Sequence, residues 1–270
     1  MKSKITIVSG YWIIKNKHSH GKYENWFKNT LQINCPYIFF GDDQSLEIIK
    51  KIRNENYPTI YIKLELTEFY TARFYNDFCV DSYHCPSKEL NMIWNEKIFL
   101  VQKAKELNPF DSEFFIWADA GICTFRDVPP SDELLETSAF IDILPKDKLI
   151  FTSSETEFFS IYIGIYNYHF VSGTSFMIHK DFIDRYTKYY KKILEKYLIK
   201  KDNLYTDQVI HTIIYNAKKQ YFHKIGHGYG ELFNILYRCI YKDDFERILS
   251  GISPIKRCNS FDQIEGDDIY

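Results

Sequence analysis

What this 270-residue chain lacks narrows its function first. Its six cysteines, at 35, 79, 85, 123, 239 and 258, form no CxxC pair and join no histidines at zinc spacing. A zinc ribbon and a dithiol redox centre are therefore not expected, and the thiols are expected to be reduced. No apolar run approaches the roughly 18–20 residues that a membrane span requires. Met1-Lys2-Ser3-Lys4 leads straight into strand-like alternation and not into a signal-peptide apolar stretch, so the expected location is the cytoplasm. An excess of one charge sign is missing too, since the formal net charge is −2. A nucleic-acid binder concentrates basic residues to neutralise phosphates. The densest basic group here, Lys188, Lys191, Lys192, Lys196, Lys200 and Lys201, lies in a periodic helix pattern and reads as a solvated face. No nucleic-acid partner is expected. Three nucleotide and hydrolase fingerprints are also absent: GxGxxG, GxxxxGK[ST] and GxSxG. Their absence weighs against a nicotinamide-binding turn, a P-loop and a nucleophile elbow respectively.

What is present points to an α/β chain. The hydrophobic fraction of 45% allows a sizeable core, and 270 residues suit one α/β domain. Aromatic residues reach 18%, but Lys, Asn and Ile are also abundant, as AT-rich coding produces. No single aromatic is therefore taken as a sugar platform. Lys4–Gly10, Pro36–Gly41, Thr59–Ile62, Phe114–Trp117, Lys148–Thr152, Val171–His179 and Tyr221–Ile225 read as strands. Helices are expected at about 23–32, 45–53, 88–107, 181–200 and 206–219, with 64–88 less regular. Alternating elements with continuous apolar strands predict a mostly parallel central sheet flanked by helices. One domain is expected over 1–258, followed by an acidic tail over 259–270 that holds Asp262, Glu265, Asp267 and Asp268.

Ligands of such sheets bind beyond the carboxyl ends of the strands. That rule selects Ser9-Gly10-Tyr11, Gly41-Asp42-Asp43 and Asp119-Ala120-Gly121. Asp119 ends an apolar strand and is followed by two small residues, which lets a ligand approach the backbone; the alternative is a turn aspartate. Along the helix from Leu90, steps of about 100° put Ile93, Trp94, Val101 and Ala104 on one face with Lys97 in its middle. A lysine there needs an anionic partner, such as a diphosphate or Asp119, or a route to water along its stem. Thr206 caps a helix whose first turn holds Asp207, which is either a dipole partner or a base. Ser172-Gly173-Thr174 opens an apolar strand, as a ligand contact or as a plain turn. His227, among Gly226, Gly228 and Gly230, is either a ligand on a closing loop or an exposed loop histidine.

Trp117-Ala118-Asp119-Ala120-Gly121 resembles the metal-binding DxD region of GT-A nucleotide-sugar glycosyltransferases. It is similar above all to the W-x-D-A-G segment of the HtrL/YibB-like (WlaTC-like) family. Tyr23 to Trp26 with Pro36-Tyr37-Ile38-Phe39-Phe40, Ile93-Trp94-Asn95-Glu96-Lys97 and Phe170-Val171-Ser172-Gly173-Thr174 extend the resemblance over roughly residues 4–230. It implies a single GT-A-like, Rossmann-related domain that transfers a sugar from a nucleoside diphosphate, UDP favoured, to a glycan acceptor hydroxyl. It further implies Mn²⁺ or Mg²⁺ at Asp119 with His227 as a late second ligand, and Asp207 as catalytic base beside Asp119. Donor contacts are expected from Ser9, Gly10, Tyr11, Lys97, Ala120, Gly121, Ser172, Gly173 and Thr174. Gly121 stands where DxD has its second carboxylate, which keeps a non-catalytic binding relic open. A protein-interaction domain is the third alternative.

Overall fold

The computed structural model describes residues 2–154, 169–200 and 204–240. The expected acidic tail lies outside these residues. Seven strands form one sheet in the order β3-β2-β1-β4-β6-β5-β7. They are β1 (Ile5–Tyr11), β2 (Tyr37–Gly41), β3 (Thr59–Lys63), β4 (Phe114–Ala118), β5 (Leu149–Ser153), β6 (Val171–His179) and β7 (Phe222–His227). Only β6 runs against the others, pairing antiparallel with both β4 and β5; the remaining pairs are parallel. The mostly parallel α/β sheet expected from the sequence is thus present. The helices are α1 (His20–Thr30), α2 (Asp43–Ile52), α3 (Lys88–Leu107), α4 (Lys180–Leu198), α5 (Asp207–Ala217) and α6 (Glu231–Arg238). The irregular stretch before α3 contains 3-10 turns at Leu66–Glu68 and Tyr70–Asp77.

Strand periodicity sorts the core into two layers. Val8, Phe40, Phe115, Trp117 and Phe151 pack on the α3–α4–α5 side. Ile7, Phe39, Ile116, Ala118 and Ile150 pack on the side of α1, α2 and α6. Both faces are covered, which is why the strands read as continuous apolar runs. Helix starts follow side-chain capping. Ser87 Oγ accepts from Leu90 N at 3.2 Å to start α3, and Thr206 Oγ1 accepts from Val209 N at 3.4 Å to start α5. No described helix is long and apolar enough to cross a membrane.

Arg53 fixes the turn between α1 and β2. Its guanidinium donates to the carbonyls of Leu31, Ile33 and Cys35 and stacks 3.8 Å from the Tyr37 ring centroid. This buried cation meets carbonyl dipoles in place of a carboxylate, and burial lowers its pKa. One expectation changes at the far edge. Gly226 and His227 belong to β7, so the proposed glycine loop shrinks to Gly228-Tyr229-Gly230, with Gly230 at φ 74°. A cross-strand partner explains this, because Thr152 and Ser153 of β5 pair with Gly226 and His227.

Candidate active site

β1 leads to β2 and β3 on one side of the sheet, while β4 is followed in the sheet by β6, β5 and β7 on the other. The carboxyl ends of β1 and β4 therefore flank a topological switch point, where a crevice must open. A cleft of about 390 Å³ lies there. Its floor is set by the parity of β4. Asp119 follows the alternation of Phe115 and Trp117, so its carboxylate turns toward α3 and not toward α1. Trp117 Nε1 donates to Asp119 Oδ1 at 2.8 Å, and Asp119 N donates to Thr174 O at 2.9 Å across the antiparallel pair.

Lys97 meets this carboxylate from α3. Its ammonium lies 2.9 Å from Asp119 Oδ1, 3.0 Å from Asp207 Oδ2 and 2.9 Å from the Gly173 carbonyl. An ammonium has three donors, and three protein oxygens occupy their directions. The charge of Lys97 is therefore engaged inside the protein. Burial works to lower its pKa, but Asp119 and Asp207 outweigh burial and raise it, so the side chain stays cationic. Burial raises the pKa of Asp207, Asp119 adds to the rise, and Lys97 opposes it. One ammonium does not fully balance two carboxylates.

The two carboxylates differ in access. The Asp119 side chain is 31% exposed and that of Asp207 is 4% exposed. Gly173 is the reason Asp207 fits: a Cβ on Gly173 would overlap Asp207 Oδ2 and crowd Gln208. Gln208, one residue on, accepts from Gly173 N at 3.0 Å and reaches the Tyr229 hydroxyl at 3.4 Å. It joins α5, β6 and the loop after β7 at one point.

Of the residues singled out in the sequence, Gly10, Tyr11, Lys97, Asp119, Ala120 and Gly121 line the cleft. Gly173, Thr174 and Asp207 line it as well. Three others are placed elsewhere. Ser9 is buried between β1 and β4, where its hydroxyl donates to Ala118 O at 2.7 Å. Ser172 is buried and shares a hydrogen bond with Thr174 at 3.0 Å. His227 is not among the cleft-lining residues; its Nδ1 sits 2.6 Å from Ser153 Oγ. Sequence reasoning did not select Gln208, Tyr229, Lys17, His84, His169 or Arg126, all of which line the cleft. Gln208 follows Asp207 directly and was within reach of the same argument. The other five come from loops, strand ends and short 3-10 turns that no periodicity marks.

The donor set around Asp119 bears on whether a divalent ion fits there. Mg²⁺ or Mn²⁺ seeks several oxygen ligands. Among the described residues no three His, Cys, Asp or Glu side chains converge as such a set. The place between Asp119 and Asp207 is taken by the Lys97 ammonium. A carboxylate at position 121 would start against the Tyr23 ring, since a Cβ there comes to 3.2 Å from it. The described residues around Asp119 do not fit a protein-held divalent ion.

Residues 59–241 match the family described as a bacterial protein of unknown function (HtrL_YibB). The chain belongs to that family. No curated protein matches its sequence. Among solved structures it is similar to mouse xyloside xylosyltransferase 1 in its apo form, at 13% identity and TM-score 0.50, over 81% of this chain and 83% of that one. It is similar also to galactosyltransferase LgtC in complex with donor and acceptor sugar analogs, at 14% identity and TM-score 0.47, over 77% and 69% of the two chains. A third is mannosyltransferase PcManGT from Pyrobaculum calidifontis in complex with GDP-Man and Mn²⁺, at 9% identity and TM-score 0.38, over 69% and 47%. The fold of this HtrL_YibB chain is that of the GT-A glycosyltransferases.

Proposed function

We propose that the chain is a glycosyltransferase that moves a sugar from a nucleoside diphosphate to an acceptor hydroxyl in the cleft around Asp119. One observation carries the reading. A carboxylate opens into the cleft at the switch point of a GT-A fold, and Trp117 and Lys97 hold it in place. An acceptor hydroxyl must lose its proton as it attacks the sugar carbon, and a positioned carboxylate can take it. Asp119 is the carboxylate that a cleft ligand can reach. It is therefore assigned as base, and Asp207 holds Lys97 from behind. The donor is expected to be a nucleotide sugar, UDP-linked in the first instance, and the acceptor a glycan hydroxyl. Stabilising charge on the departing diphosphate supplies the largest part of the rate. That charge must come from groups other than Lys97, whose donors are engaged.

A donor-hydrolysis assay with UDP-, GDP- and dTDP-sugars tests this, comparing wild type with Asp119→Asn. Hydrolysis of one donor, falling by about 10²–10⁴-fold in Asp119→Asn, is the expected result for loss of a general base. The variant should keep its melting temperature. Binding of a donor without turnover would mark a non-catalytic relic, and no binding at all would remove the reading.

A further inference from the structure

The floor of the cleft uses its own ammonium, but a second cluster of nitrogen side chains lines the same cleft. His84 comes from the segment before α3 and His169 from the residues just before β6. Their rings stack with centroids 5.5 Å apart and planes 19° apart. Lys17, from the segment between β1 and α1, places Nζ 3.3 Å from His84 Nδ1 and 5.3 Å from the Trp94 ring centroid. All four residues line the same cleft as Asp119.

The two imidazoles of this cluster pair with no anion among the described residues. Among the described residues, no carboxylate lies within ion-pair distance of either imidazole, and the ring nitrogens of His169 make no hydrogen bond. Stacked imidazoles beside an ammonium repel one another as soon as they gain protons. Burial drives His84 down to about 4, with Lys17 adding to the fall and Asp81 opposing it. Burial also drives His169 to about 4, with His84 and Lys17 adding. The pair is thus held neutral, next to a lysine, in the same cleft as Asp119. Arg126, which lines the cleft with Lys17 and Lys97, lies 3.7 Å from the Trp26 ring centroid and donates from Nε to the Gly121 carbonyl.

We propose that Lys17, His84 and His169 form an oxyanion subsite that receives the diphosphate of the donor, so that protein cations balance its charge. This rests on the transferase reading above. A phosphate oxygen accepts from the Lys17 ammonium and from an imidazole N–H. Its negative charge favours the imidazolium form, so the ligand enters together with protons taken up from solvent. Binding must then tighten as pH falls from about 8 to 6, within the range over which imidazole charge is tuned.

Isothermal titration of the whole protein with UDP, GDP, ADP and inorganic pyrophosphate, in EDTA and in buffers of different ionisation enthalpy, tests the subsite. Paired variants are Lys17→Met and the double change His84→Asn with His169→Asn. Expected are metal-free binding with net proton uptake, and affinities at least about tenfold lower in both variants. Melting temperatures should be unchanged. Pyrophosphate showing the same proton uptake identifies phosphate, and not an acidic sugar, as the group received. Should the double variant fail to fold, Lys17→Met, at an exposed residue, decides alone. Equal affinity in the variants, no proton uptake, or binding that appears only with Mn²⁺ would overturn the subsite while leaving the transferase reading intact. If wild type binds none of the nucleotides with or without Mn²⁺, the two readings fall together.

Discussion

At the floor of the cleft, Lys97 turns all three protons toward protein oxygens; at the rim, His84 and His169 stack with no carboxylate between them. Both clusters hold buried or half-buried charge-bearing groups, but only at the floor do the described residues pair a cation with carboxylates. Its geometry is fixed before any ligand arrives, which is what a catalytic carboxylate requires. At the rim, among the described residues, two imidazoles stack beside a surface lysine without an ion pair to a carboxylate, which is the opening that the proposed anion fills. On the proposed reading, rigid chemistry and responsive binding are separated within one cleft.

Breaking the floor should cost most. Lys97→Met leaves Asp207 buried beside Asp119 with no cation, and loss of one partner from a buried pair costs about 3–5 kcal/mol. Urea unfolding at neutral pH measures this. A loss below about 1 kcal/mol would mean that the floor is not a closed ion cluster.

Glu96 sharpens the comparison, because it precedes Lys97 on α3 but is satisfied by uncharged donors. Its carboxylate accepts from Tyr70 N, Thr71 N and Thr71 Oγ1 at 2.7–2.9 Å. Burial nevertheless pushes its pKa up to about 7, against those hydrogen bonds. A raised folded-state pKa disfavours the charged form, so this stability is fully present below the unfolded value and is lost as pH rises to about 7. The loss amounts to about 2–3 kcal/mol. Glu96→Gln should flatten this part of the pH–stability curve, as read from urea midpoints at several pH values. An unchanged slope would show that the proton sits elsewhere.

The smallest expected effect concerns space. Gly173→Ala puts a methyl against Asp207 Oδ2 and Gln208. Overpacking of this kind costs about 1–3 kcal/mol. Donor turnover should fall further than stability does, because Asp207 moves and Lys97 follows. Full activity in this variant would show that the floor tolerates displacement.

Much of this arrangement was legible in the sequence where local chemistry and position coincide. Asp119 stands at the end of an apolar run, Lys97 interrupts an apolar helix face, and Thr206 announces the helix that carries Asp207. Asp119 and Lys97 each set a charge against an apolar pattern, Asp207 follows a capping signal, and the fold brings the three together. His84 and His169 violate no pattern, since they sit in irregular segments 85 positions apart in the chain and meet only through tertiary packing. His227 was read from its glycines, whereas pairing with β5 draws it into a strand. Helix α6 is eight residues long and starts from a left-handed glycine, too short for periodicity to reveal.

The chain has four tryptophans. Trp12, Trp94 and Trp117 line the cleft, and Trp26 packs under Arg126 at its edge. The indole emission of this protein is therefore a gauge of one place. Ligand entry should shift it without any label. For the same reason, unfolding followed by fluorescence reports the opening of the cleft, whereas circular dichroism reports the sheet and helices, and a gap between the two curves would measure how far the cleft loosens ahead of the fold.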